Sequence, residues 1–581
     1  MWTQPGRRRA TALAGGILIL GTVLGSATAI AAPPRASPIE HLNKLAEVGR
    51  DWLARLRPEV REALSAGGQN LIQLTTTVDE ITEAKAQTRI SAKAQAPRGL
   101  PSGLGNDPYA AEDLLSRVAG MTQSETSVGW CGTNAVIGYN DSGSFVSTLF
   151  LNASPSGSLS FNGWSRSTNR GASYVDMGAL IADPVPDGVM FRDVFGDPVI
   201  GCTSPSTFYY ASLSTDSGFD FEFINSGISV SRSTDGGASF EGAVMAVSKN
   251  AEAHFLDKPW MAVSPGPTNS PDDDEIHVSY TDFDVSGFID PGTAVCPETS
   301  RAAIEHVYST DGGQTWSSPT VLDEVCSDFS FVQGSQVEVG VGDDVYVAWE
   351  HYTEPNSDRD IRIARSTDAG ASFGDAQVIS PVTPIGDAFA VQGNFRAFLD
   401  LQGLAVDKSS GPRQGSVYVS WHDGRNRTKV DPFGFCGATP TYCFGDILFS
   451  RSTSDGASWS DPVRVNNDDI TLGVDQLFPA LDVDDSGNVW IAYYDRRRDN
   501  RNLLIDTFLA RSGNGGQRWS NSRLTSQSFP PITGWQDLIV NPFYMGDYIA
   551  VAADATGTYN GVIAAWGDNS LGDANVRQRR N

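Results

Sequence analysis

A ten-residue stretch, SRSTDGGASF from Ser231 to Phe240, returns with decay five more times along the chain. The copies are SRSTNRGASY from Ser165, VYSTDGGQTW from Val307, ARSTDAGASF from Ala364, SRSTSDGASW from Ser450 and ARSGNGGQRW from Ala510. All share a serine, a glycine four residues on and an aromatic three further, as in Ser233, Gly237 and Phe240. A recurrent unit too small to bury its own apolar face must stack on its neighbours, so the chain folds as a solenoid, an array or a propeller. Within the box, Ser233 and Asp235 are suited to hydrogen-bond backbone amides in a tight turn. The glycines supply positive φ, and the aromatic opens the next strand.

A second repeat runs alongside the first. AVIGYND from Ala135, TFYYASL from Thr207, IHVSYTDF from Ile276, VYVAWEHY from Val345, VYVSWHDG from Val417, VWIAYYDR from Val489 and VIAAWGDN from Val562 read as short strands packed between sheets. Upstream runs such as KPWMAVS from Lys258, SQVEVGV from Ser335, FRAFLDL from Phe395, LFPALDV from Leu477 and GDYIAVAA from Gly546 read as innermost strands. Seven second strands against six boxes leave the last unit incomplete. Its simplest closure borrows a strand from near the N-terminal end of the repeat region, hiding both sheet edges.

The pattern Ser-x-Asp-x-Gly-x-x-Trp/Phe resembles the BNR or Asp-box repeat, and from about residue 125 onward the chain is similar to sialidase-like β-propellers. The resemblance implies an all-β propeller of seven blades, with six as the alternative because sialidases proper have six. The expected division is a signal peptide over 1–31, a helical N-terminal region and linker over 32–105, and the propeller over 106–581.

Arg7, Arg8 and Arg9 precede an uncharged apolar run that ends in Ala29-Ile30-Ala31, the pattern of a cleaved export signal. The same run, extended to Ala32, is long enough for an uncleaved anchor. No later stretch is apolar enough to span a membrane, so a processed chain is secreted, with the cell surface or periplasm as other destinations. Pro38 to Ala66 is amphipathic at helical spacing and should kink or split at Pro58. Weaker helical character follows over Leu71 to Lys85, and a linker over Ser91 to Asn106. A net charge of −27 argues against nucleic acid as a partner. Six cysteines in an oxidising compartment make disulfides the default. The repeat pairs Cys131 with Cys202, Cys296 with Cys326, and Cys436 with Cys443; no C-x-x-C is present for zinc.

Strand alternation puts the boxes on one face and the ends of the second strands on the other. That second face receives Asp141, Asp282, Glu350, Asp423, Asp495 and Asp568, with Arg425, Arg496, Arg497, Arg498 and Arg501. Connections entering the innermost strands bring Asp197, Asp257, Lys258, Gln336, Arg396, Asp475, Asp547 and Tyr548 toward the axis. Such a rim suits an acidic or polyhydroxylated sugar, because guanidinium forks bind carboxylates and paired carboxyl groups perform glycosidic cleavage. Glu350, Asp423, Asp495 and Tyr548 are the catalytic candidates; Arg396, Arg425, Arg497, Asp282 and Asp547 the substrate-binding ones. The competing reading of each Asp-x-Arg is an ion pair tying blades together.

Sialidases place three arginines on the substrate carboxylate, a glutamate-activated tyrosine as nucleophile and an aspartate as acid/base. Here the early strand SETSVGW from Ser124 carries no arginine, and the Phe-Arg pairs at Phe191 and Asn394 lack the family's proline. The resemblance thus implies a glycoside hydrolase of the exo-α-sialidase type, or a glycan-processing protein, acting on an extracellular glycan or glycoprotein. The alternatives are a noncatalytic glycan- or protein-binding propeller and a cell-surface scaffold. A monomer without cofactor is expected. Ca²⁺ is considered only at DVDDSGN from Asp482, which lacks the twelfth-position glutamate and reads as a hairpin, and at PDDDE from Pro271 on the box face. Among six histidines, His422 beside Asp423 stands nearest the candidate face, with a packed imidazole as its simpler reading.

Overall fold

The computed structural model describes residues 38–65, 122–151, 153–342, 344–354, 358–386, 390–393, 395–397, 403–426, 442–531, 545–572 and 574–581. The leader, the expected helix over 71–85, the linker and Cys436 lie outside them.

Seven antiparallel sheets follow one another in chain order: blade 1 (residues 123–179), blade 2 (191–250), blade 3 (254–326), blade 4 (331–382), blade 5 (403–464), blade 6 (476–523) and blade 7 (550–580). In each, chain order is spatial order, from an innermost strand at the axis to the rim. The seven-bladed reading holds and the six-bladed alternative falls. All seven β-branched and aromatic runs are second strands, and Trp349, Trp421 and Trp566 in three of them are wholly buried. A strand pressed between two neighbouring sheets has no solvent face, so both of its sides must be apolar or paired.

Two expectations change. Blade 7 has three strands among the described residues, none of them from the N-terminal end of the repeat region, and residues 66–121 lie outside the described ones. Blade 1 meets blade 7 through a shared apolar cluster, Val128, Trp130 and Ile137 against Ala552, Ile563 and Val576, and through single hydrogen bonds: Gln123 N donates to Ala574 O (2.8 Å), Thr126 Oγ1 to Ala565 O (2.8 Å), and Gly132 N to the Asp554 carboxylate (2.7 Å). FRAF at Phe395 is also not an innermost strand. Phe395–Arg396 pairs with Ala390–Val391 in a separate ribbon, and blade 5 begins at Gly403–Val406.

The six boxes are built alike. Each serine Oγ accepts from the glycine amide four residues on, at 2.8–3.0 Å, in Ser167, Ser233, Ser309, Ser366, Ser452 and Ser512. Where the third position is Asp235, its carboxylate also takes the amides of Ala238 and Ser239. Every box lies between the third and fourth strands of its blade, on one face of the ring. Each leans on the blade before it: Arg166 of blade 1 donates to Gly236 O of blade 2 (2.7 Å), Arg451 of blade 5 to Gly515 O of blade 6 (2.7 Å), and Arg580 of blade 7 to Arg170 O of blade 1 (3.1 Å).

DVDDSGN forms the expected hairpin, with Asp484 accepting from the Ser486 and Asn488 amides. In PDDDE, Asp272 is exposed and pairs with Arg232 (2.8 Å), whereas Asp274 is buried and accepts from Thr203 and Tyr209. Disulfides join Cys131 to Cys202, across blades 1 and 2, and Cys296 to Cys326. Cys443 is also disulfide-bonded.

The N-terminal segment splits at Pro58 into helices α1 (Pro38–Leu53) and α2 (Pro58–Ala63). It docks on the propeller's non-box face. Leu42 and Leu45 pack with Phe195, Leu213 and Leu256; Trp52, Leu56, Val60 and Leu64 pack with Phe255, Phe331 and Tyr548. His41 Nε2 meets the Asp193 carboxylate at 2.6 Å, both fully buried. Among the described residues, no helix is long and apolar enough to cross a membrane.

Candidate functional site

The innermost strands share an irregularity. Among the described residues six of the seven, all but that of blade 5, carry near the entry on the non-box face a residue with positive φ: Glu125 (53°), Asp197 (50°), Lys258 (50°), Gly334 (70°), Phe478 (55°) and Gly546 (102°). At four of them the ladder skips, between Ser124 and Ser127, Asp257 and Trp260, Gln333 and Gln336, and Leu477 and Ala480. Such bulges re-aim side chains, and left-handed backbone at residues other than glycine is strain that the surroundings must hold in place. In blades 1, 2 and 3 the strained residue is charged.

The bulges gather one cluster at the axis. Asn140 positions two of its members, donating from Nδ2 to Glu125 Oε2 (2.6 Å) and accepting at Oδ1 from the Asp197 amide (3.0 Å). Glu125 Oε1 takes the Asp547 amide at 3.1 Å, linking blade 1 to blade 7. Arg396 pairs with the Asp547 carboxylate. Asp257 accepts from Gln333 Nε2 (2.8 Å). The Lys258 ammonium stands over the Tyr548 ring, 3.6 Å from its centre, and 5.0 Å from that of Trp260.

Burial governs the protonation of this cluster. It pushes the Asp257 carboxyl up to about 7, helped by the charge of Asp197. It raises Asp547 as well, with Arg396 opposing, and lowers Lys258 although Asp197, Glu125, Asp547 and Asp257 all act to keep its charge. The Tyr548 hydroxyl is raised far above its ordinary value by burial, then by Glu125, Asp197 and Asp547. Four carboxyl groups face two cations in a dry site, so retaining a proton on one carboxyl is cheaper than ionising all four. Two atoms stand out: Lys258 Nζ and the Tyr548 hydroxyl are buried with no hydrogen-bond partner among the described residues. Among the described residues, no group of three or more metal-ligating side chains is placed to hold an ion.

Below the cluster runs the axial channel. A cavity of about 150 Å³ lies beside Lys258, Trp260 and Tyr548, walled by Ile200, Gln336 and Leu481. A wider one of about 330 Å³ lies toward the box face. Above, the end of α2 closes the mouth. Ser65 donates its backbone N–H to Asp257 Oδ2 (2.7 Å) and its hydroxyl to Oδ1 (2.5 Å), while Leu64 O accepts from Arg396 Nη2 (2.7 Å).

The structure brings three of the nine sequence candidates to this cluster: Arg396, Asp547 and Tyr548. The others lie away from it, five in pairs within their blades and Asp282 in a group that reaches from blade 3 to Lys249 of blade 2. Asp423 binds Arg425 (2.6 Å), Asp495 binds Arg497 (2.6 Å), and Glu350 lies 3.7 Å from Arg359. Asp282 meets Lys249, His254 and Arg301. Burial raises Asp423, and Asp495 to about 6, against the pull of their arginines. At Asp282 burial loses to His254 and Lys249, which hold it below its ordinary value. Asp141 caps helix α3 (Ser142–Phe150), and His422 is packed against Phe478. Asp475 accepts from Gly445 N and Asn502 Nδ2, holding the connections of blades 5 and 6. Glu125, Gln333 and Ser65 were not among the sequence candidates. A signal for the bulges existed, since Pro198, Pro259 and Pro479 each follow a left-handed residue, and a residue before proline is barred from right-handed helical backbone.

No family model and no curated protein matches the chain. Solved structures of similar fold include the Hadza microbial sialidase Hz136, 13% identical over 72% of this chain and 73% of that one (TM-score 0.38). A PL25 ulvan lyase is 10% identical over 80% and 94% (0.43), and the Penicillium chrysogenum α-L-arabinanase complexed with arabinobiose 12% over 69% and 94% (0.37). On its own blades and its six stapled turns, the chain is a seven-bladed β-propeller.

Proposed function

We propose that the protein is a secreted glycan-processing enzyme that cleaves a glycosidic bond at the non-box mouth of the axial channel. The observation that carries this reading is the pair of buried, unpartnered polar atoms, Lys258 Nζ and the Tyr548 hydroxyl, inside a ring of carboxyl groups. Neither atom has a hydrogen bond to replace its hydration, and for Lys258 the Tyr548 ring and the surrounding carboxyl groups offset only part of that cost. The reading rests on the site, since one fold hosts many chemistries.

In this reading Asp257, still protonated near neutrality, gives its proton to the departing glycosidic oxygen. Glu125, the charge acting most strongly on Tyr548, takes the phenolic proton as the tyrosine oxygen attacks the anomeric carbon. Water then displaces the tyrosine from that carbon as Asp257 accepts a proton from it and Glu125 returns one to the phenolate. Arg396 and Lys258 hold an acidic or polyhydroxylated sugar.

A second reading, a binding propeller without catalysis, is favoured by a different observation: among the described residues one arginine, Arg396, reaches the cluster, and it is already paired with Asp547. Turnover of a glycoside panel, acidic sugars included, separates the two. Tyr548→Phe removes only an atom that bonds nothing, so the thermal midpoint should hold or rise while turnover falls by at least about a hundredfold. Saturable binding with no cleavage by the parent protein would establish the second reading and end the first.

A further inference from the structure

The site is already occupied by the chain itself. Ser65 offers Asp257 two adjacent donors, one to each carboxylate oxygen, and Leu64 offers Arg396 an acceptor. Two neighbouring donors on one carboxylate is also how a vicinal diol binds, and an acceptor on a guanidinium is how a sugar carboxylate binds. The cavity left beside Lys258 and Tyr548 is about 150 Å³, below the roughly 300 Å³ at which ligand pockets begin. From the non-box face a sugar ring therefore reaches Lys258 and Tyr548 only when residues 64 and 65 leave.

We propose that Leu64-Ser65 is a pseudo-ligand, held in an autoinhibitory position by α1 and α2, whose displacement opens the pocket to a polyhydroxylated acidic sugar. The identity of that sugar rests on the proposed function; the occlusion does not. The holding elements are unequal. α1 is anchored by Leu42, Leu45, Trp52 and the His41–Asp193 contact. α2 has six residues and no side-chain cap at its start, so little within the helix itself opposes its release, and its hold on the propeller comes from Val60 and the following Leu64.

Ser65→Pro in the full chain removes the N–H and the hydroxyl together. Leu64 is already extended (φ −63°, ψ 144°), the conformation a following proline requires. Leu64→Ala is the second variant, which removes the buried side chain that anchors the segment in the apolar cluster with Tyr548. Carbodiimide labelling of Asp257, mapped by peptide mass, reads occlusion without any sugar, and calorimetric titration with glucuronic acid, with glucose as the neutral control, reads the ligand. In variants that keep the parent's thermal midpoint within a few degrees, Asp257 labelling and glucuronic acid affinity should each rise at least about tenfold, the least that losing two hydrogen bonds to a carboxylate implies. Labelling unchanged within about twofold in both variants, or slowed, overturns the proposal and makes residues 64–65 a fixed wall. Faster labelling with no glucuronic acid bound by any form supports the occlusion and overturns the acidic-sugar ligand.

Discussion

At the residue scale, Asp257 carries the clearest consequence. Its carboxyl ordinarily titrates near 3.8 and here is pushed up to about 7, chiefly by burial. The folded protein thus holds this proton more tightly than the unfolded chain, so its contribution to stability falls as pH rises from about 4 to 7 and is level above. The shift corresponds to on the order of 4 kcal/mol between the two ends of that window. Asp257→Asn, which cannot ionise, should make the urea midpoint depend less on pH between 4.5 and 7.5 and should abolish turnover; a slope equal to the parent's would show the carboxyl titrating normally. In the parent, turnover should fall as pH passes above about 7, because the donor's proton is lost. Asp257, Lys258, Asp547 and Tyr548 could be traced to the axis from sequence, since they sit where a chain enters an innermost strand. Asp423 and Asp495 could not be excluded, because a carboxylate just past a strand has the same spelling whether it meets Arg425 or Arg497 within its own blade or a substrate. Glu125 escaped notice for another reason: it is aimed by a bulge, and a skip in the ladder changes which face a side chain occupies without changing its neighbours in sequence.

The box is the element whose sequence and structure correspond most closely. The bonds that close its turn are local, within ten residues, so spacing alone determines them. Its serine matters more than its aspartate, because the serine oxygen serves a buried glycine amide while the aspartate serves exposed ones. Ser233→Ala should lower stability by about 1–3 kcal/mol, the cost of an unsatisfied buried donor, and Asp235→Ala by less; equal denaturant midpoints for the two variants would reverse that ranking. In blade 5 the third position is Ser454, and it still takes the Ser458 amide at 3.1 Å, which explains how the motif decays without the turn opening. FRAF misled for the opposite reason. Phe395–Arg396 has the alternation of a strand and is one, but its partner, Ala390–Val391, is chosen by a long connection whose course no periodicity records.

Across the whole molecule, blade number was legible because each second strand is buried on both sides and must be apolar throughout, whereas the manner of closure was not, because it depends on a few long-range contacts. With no shared ladder joining blades 7 and 1 among the described residues, that seam is held by packing of Val128, Trp130 and Ile137 on Ala552, Ile563 and Val576, and the next seam carries a covalent tie. The Cys131–Cys202 disulfide spans 71 residues and fastens blade 1 to blade 2; a loop of that size is worth about 4 kcal/mol in the entropy model. Replacing both cysteines by serine should lower the denaturant midpoint accordingly and raise amide exchange in the innermost strand of blade 1 above that of blade 4; uniform exchange across the blades would show the tie to be redundant. The leaning of each box on the preceding blade has a directional outcome. Contacts overlap like roof slates laid in a single rotational sense, so the loss of one blade uncovers the next rather than the previous one. Damage should travel round the ring in one direction only, with fragments from limited digestion shortening blade by blade in that order.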